Sequence, residues 1–135
     1  MPEKKTLERA RRDKRQGKSP STQAGEFVRE EMHHIREGKH GARSTKQAIA
    51  IGLSKARRSG VKLAPPAKGR TTRRTRQQAQ RDLAKGRSGG AAGRPSVRRS
   101  RATTRALRRE GHRAASRSAL SRQARNSARR RRSRR

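Results

Sequence analysis

The chain has 135 residues, with 42 Lys+Arg against 9 Asp+Glu and a formal net charge of +33. Only 25% of its residues are hydrophobic, and Phe27 is the one aromatic. So little apolar surface cannot offset an ordering cost of roughly 1–2 kcal/mol per residue along the whole chain, which argues against a globular enzyme of this length.

No cysteine is present, so disulfides and thiolate metal sites are excluded. No apolar run approaches the roughly 20 residues of a membrane span, and no apolar segment follows Met1-Pro2-Glu3-Lys4-Lys5. A cytoplasmic protein with no membrane partner is expected. A charge of +33 calls for a polyanion, and inside a cell that means DNA or RNA.

Three helices are predicted in the first half. The first runs over about 6–16, from Thr6 to Gln16, and ends at Gly17; Leu7 is its only large apolar residue, so it is a weak helix. The second, about 19–37, opens on Ser19-Pro20, a cap followed by proline at the first helical position. Ala24, Phe27, Val28, Met32 and Ile35 share one of its faces, and Gly38 is placed to end it in a left-handed conformation. The third, about 44–59, opens on Ser44-Thr45-Lys46-Gln47, a capping box, and carries Ala48, Ile49, Gly52, Leu53 and Ala56 as its buried stripe. Gly52 costs about 1 kcal/mol against Ala in a helix and is explained if another backbone approaches it closely. Phe27, Val28, Met32, Ile35, Ile49 and Leu53 are the expected core. At roughly 1.5–3 kcal/mol for each buried group, that core is marginal.

Composition shifts at Pro65-Pro66. Residues 1–63 hold 17 basic and 7 acidic residues; residues 64–135 hold 25 and 2, the acids being Asp82 and Glu110. Lysine gives way to arginine at the same point. The expected organisation is a small helical head over 1–63, a Pro/Gly hinge over 64–70, and an Arg/Ser/Ala-rich tail over 71–135 that is disordered or conditionally helical. The fold class expected is therefore mostly α: a helical hairpin head with a long, largely disordered tail.

Two stretches of the head, Lys18 to Glu31 and Glu37 to Arg58, resemble an uncharacterised bacterial family of short basic proteins, over about residues 1–63. The resemblance implies a bacterial cytoplasmic protein and carries no chemistry. Family members often end in Lys/Ala-rich tails, whereas this chain ends in arginine and serine.

No catalytic constellation is visible. Serines lack a partner histidine or carboxylate at a recognisable spacing, and Gly86–Gly93 lacks the lysine and helix of a phosphate loop. His33, His34 and His40 are expected as solvated histidines near a helix end, and Glu30, Glu31 and Glu37 as members of helical ion pairs. No catalytic residue, no cofactor and no metal site is expected.

The arginines are the informative set. Arg94, Arg98, Arg101, Arg105 and Arg108 step by four and three, as do Arg122, Arg125, Arg129 and Arg132, and Arg130 and Arg131 complete a terminal run. These are the expected phosphate contacts. The guanidinium fork makes two parallel hydrogen bonds to phosphate and stays charged at cellular pH. Without exposed aromatics there are no stacking platforms for base reading. The expected function is sequence-independent nucleic-acid binding at the bacterial nucleoid, with DNA ahead of RNA and the head available for self-association. The alternatives are an RNA- or ribosome-associated protein, or a protein-interaction module with a solubilising tail.

Overall fold

A computed structural model describes residues 2–89 and 96–134. Among the described residues six α-helices follow one another: α1 (Lys4–Arg15), α2 (Pro20–Arg36), α3 (Thr45–Arg58), α4 (Arg73–Arg87), α5 (Val97–Arg109) and α6 (Arg117–Ser133), with a short 3-10 turn over Arg113–Ala115.

The first three helices form where local chemistry places them. Ser19 Oγ accepts from the Thr22 N–H at 3.3 Å and opens α2. Ser44 Oγ accepts from the Gln47 N–H at 3.1 Å and opens α3. The Gln47 side chain reaches back to the N–H of Arg43 (2.6 Å), one residue before the expected partner. Gly38 and Gly60 end these helices at φ +78 and +103. The N–H groups of Lys39 and Val61 then bond the carbonyls of His34 and Ala56, which satisfies the last turn. α1 begins at Lys4 with Glu3 as its N-cap, two residues before the expected start at Thr6, and Thr6 lies buried inside it.

The expected long disordered tail is corrected by the structure, which is 72% helical. α4, α5 and α6 occupy the arginine-rich half. Two physical features account for the difference. Arg, Ala, Gln and Lys are strong intrinsic helix formers, and Thr72, Ser96 and Ser116 cap the three helices with their hydroxyls. The segment is also fastened by hydrogen bonds and buried polar groups, which a count of apolar residues does not register.

The chain divides into two compact units that interleave in sequence. In the first, formed from residues up to 30 and from 51 onward to 94, the core is Ala10, Ala24, Phe27, Ala56 and Val61, with Leu7, Leu53 and Leu63 packed on it. Small residues let backbones come close. A Cβ on Gly52 would sit 2.7 Å from Val28 Cα, so the glycine answers a backbone approach, as its position in a helix predicts. A Cβ on Gly86 of α4 would strike the carbonyl oxygen of Arg57.

Buried polar groups complete this unit. Asp82 of α4 is 2% exposed and accepts from Ser54 Oγ (2.8 Å) and Gln78 Nε2 (3.1 Å). Arg58 lies 3.9 Å from the same carboxylate. Glu30 accepts from the Glu3 N–H (2.6 Å) and from Thr6 Oγ1 (3.2 Å), so a buried carboxylate serves the start of α1. Arg57 donates to the carbonyls of Leu63 and Ala64, both at 3.1 Å, and so pins the segment leading into Pro65-Pro66. Burial holds the Arg57 guanidinium below its ordinary pKa, and the charge of Asp82 opposes that shift.

The second unit comprises residues 31–50 and 95–135. Its buried side chains include Met32, Ile35, Ala42, Ala48, Ala114 and Ala115. The loop before α3 holds the turn after α5. Gly41 N–H donates to the Leu107 carbonyl at 2.8 Å and Ala42 N–H to that of Gly111 at 3.0 Å. Thr45 Oγ1 donates to Ala114 O at 2.7 Å and Arg36 Nε to Ala115 O at 2.9 Å. Gly41 lies so close to Glu110 that a Cβ there would strike the Glu110 carbonyl. α5 and α6 themselves bury no residue. The turn between them anchors the unit; α5 is exposed apart from the half-buried Leu107, and α6 has Ala119, Leu120, Gln123, Ser127 and Ala128 half-buried.

Candidate nucleic-acid interface

At 100° per residue, Arg98, Arg101, Arg105 and Arg108 fall within an arc of about 80° on α5. Arg122, Arg125, Arg129 and Arg132 repeat the same arc on α6. All eight are exposed, as are Arg130 and Arg131. Arg94, the first of the predicted contacts, lies outside the described residues. α5 spans about 20 Å and α6 about 25 Å at ~1.5 Å per residue. Ser96 Oγ caps α5 by accepting from the Arg99 N–H (3.2 Å), and Ser116 Oγ caps α6 from Ala119 (3.2 Å).

The disposition of carboxylates sharpens the electrostatics. Neither α5 nor α6 contains an acidic residue. Four of the nine acids in the chain, Asp13, Glu30, Glu31 and Asp82, are buried. Among the described residues, the carboxylates are paired with Lys18, Lys39, His40 and Arg58, and none with the ten arginines of α5 and α6 named above. The unit that carries both helices has 20 basic residues against 3 acidic ones. Along α5 and α6 the exposed guanidinium groups stand with no carboxylate in the same helix, so each helix presents charge of one sign that a polyphosphate can neutralise without displacing internal partners.

Phe27 is 1% exposed, so the one aromatic ring offers no platform for a base. Val97, at 65%, is the exposed large apolar residue among those described. Contacts from these helices are therefore contacts of charge and hydrogen bonding. A basic concavity lies at the start of α4, lined by Lys68, Thr71, Arg73, Arg76, Gln77 and Gln80.

The six expected core residues divide between the two units. Phe27 is buried and Val28 and Leu53 half-buried in the first; Met32 and Ile35 are buried and Ile49 half-buried in the second. Of the three histidines expected in solvent, His33 is exposed, whereas His34 and His40 are half-buried. Glu30 and Glu31 lie inside the fold instead of pairing along a helix surface. No local spacing marks them, because their partners come from Glu3, Thr6 and His40, brought in by tertiary structure.

No curated protein and no solved structure matches the chain. The matched stretch runs from the last residue of α1 to the segment before α4 and includes neither α5 nor α6. The likeness to an uncharacterised family is a match of residues 15–69 to a Family of unknown function (DUF6496).

Proposed function

We propose that this protein binds nucleic acid through its phosphates, without reading sequence, and that bacterial chromosomal DNA is its polymer. The observation that carries the proposal is the pair of helices α5 and α6. Their arginines are exposed at three- and four-residue spacing, lack any carboxylate partner among the described residues, and belong to helices that contain no fully buried residue. An exposed helix gains little from apolar packing. A row of like charges along it is unfavourable in water, and phosphate removes that repulsion.

Each arginine that neutralises a phosphate releases condensed counterion. Affinity should then fall with salt at a slope of about −0.9 per contact on duplex DNA and about −0.7 per contact on single strands. Titrating the intact protein against two duplexes of unrelated sequence at several salt concentrations tests this. Equal affinities and a steep common slope are expected. Salt-insensitive binding, or binding confined to one sequence, would refute the proposal. A markedly tighter grip on folded RNA than on duplex DNA would overturn the choice of polymer.

A further inference from the structure

The phosphate-binding reading leaves three side chains of the second unit without a role. Glu31 and His34 are three residues apart on α2, one above the other on the same face. Gly38, at φ +78, reverses the chain and brings His40 back to that face. His40 Nε2 lies 2.9 Å from Glu31 Oε2, and the rings of His34 and His40 meet edge-on with centroids 6.2 Å apart. One ligand atom from each of the three residues can be chosen so that all lie within 4.8 Å of one another. We propose that Glu31, His34 and His40 form a binding site for a first-row divalent transition metal, with Zn²⁺ as the probe ion. The inference is independent of nucleic-acid binding.

Three features support it. The donor set is two imidazole nitrogens and one carboxylate oxygen, which suits Zn²⁺, Co²⁺ or Ni²⁺. Ca²⁺ and Mg²⁺ prefer all-oxygen sites. His40 is oriented from behind: Nδ1 donates to the Gly41 carbonyl at 2.9 Å, an acceptor that fixes that nitrogen as N–H and aims Nε2 at Glu31. A backbone carbonyl behind the ring is the usual outer support of a metal-binding histidine. Glu31 is fully buried at 0% exposure and the His40 side chain is 13% exposed, so two ligands are already held by packing.

With bonds of about 2.0–2.2 Å, tetrahedral ligand atoms stand roughly 3.4 Å apart, so closing the site needs side-chain shifts of about an ångström. The positive field of the chain opposes a dication, but it is screened beyond about 8 Å at physiological salt. Lys39, beside His40, is held 3.4 Å from Glu37. A metal here would fasten the end of α2 to the loop whose Gly41 and Ala42 N–H groups hold the turn after α5.

The test uses the untagged full-length protein, freed of nucleic acid by nuclease and high salt and of metal by chelator. Zn²⁺ titration by calorimetry should show one saturable equivalent, and Co²⁺ should give the intense visible absorption of a four-coordinate site. His34→Gln and His40→Gln should each weaken Zn²⁺ binding at least tenfold, whereas His33→Gln should leave it unchanged. If a variant loses helicity by circular dichroism, the Co²⁺ spectrum of the unaltered chain decides. The proposal is overturned by the weak spectrum of hydrated Co²⁺, by no saturation near one equivalent, or by equal weakening from His33→Gln.

Discussion

Replacing Arg98, Arg101, Arg105 and Arg108 together by glutamine removes one charged face and little else. These side chains are exposed and unpaired with carboxylates among the described residues, and glutamine matches arginine closely in helix propensity. If all ten α5 and α6 arginines reach duplex phosphates, the slope of log affinity against log salt is about −9, at ~0.9 per contact. The fourfold variant should then show a slope of about −5.4. Between roughly 50 and 200 mM salt, the unaltered protein should lose about five decades of affinity and the variant about three. The assay is a fluorescence-anisotropy titration over that range on two unrelated duplexes, with helicity checked by circular dichroism. Lysine at the same four positions should restore the slope, because counterion release follows charge, while absolute affinity stays lower for want of the guanidinium fork. An unchanged slope in the glutamine variant with intact helicity would show that α5 does not touch phosphate.

Three further outcomes follow from the packing. Gly52→Ala places a methyl group 2.7 Å from Val28 Cα and should cost about 1–3 kcal/mol by overpacking, measured by urea unfolding. Asp82→Ala removes the buried acceptor shared by the Ser54 hydroxyl and the Gln78 amide, and should cost about 1–3 kcal/mol together with loss of hydrogen-exchange protection in α4. Gly41→Ala drives a Cβ into the Glu110 carbonyl and should abolish the slow exchange of the Gly41 and Ala42 amides, which are bonded to Leu107 and Gly111. Slow exchange persisting at both amides in that variant would mean that the loop and the turn adjust without separating.

How much of the fold was legible depended on the range of the interaction. The ends of α2 and α3 could be read directly, because a serine hydroxyl capping an N–H three residues on and a glycine at positive φ are local events. Phe27, Met32 and Ile35 were legible as buried residues because helical periodicity places them on one face. The order in the second half was not legible. The rule linking low hydrophobicity to disorder counts apolar groups, and α4 is held instead by Asp82, Ala79 and the close backbone approach at Gly86. The turn after α5 is held by backbone N–H groups, which composition does not reveal.

The candidate sites divide in the same way. Sequence spacing gave the arginine rows their steps of three and four, which become single faces only once α5 and α6 are helical. Sequence alone also fixed the sign of the charge and the shortage of aromatic platforms. Tertiary structure decided which charges remain available: it turned Glu30, Glu31 and Asp82 inward, left the arginines outward, and brought His40 back against Glu31. The reason is that burial and pairing are set by neighbours distant in the chain, whereas periodicity and capping are set within a turn or two.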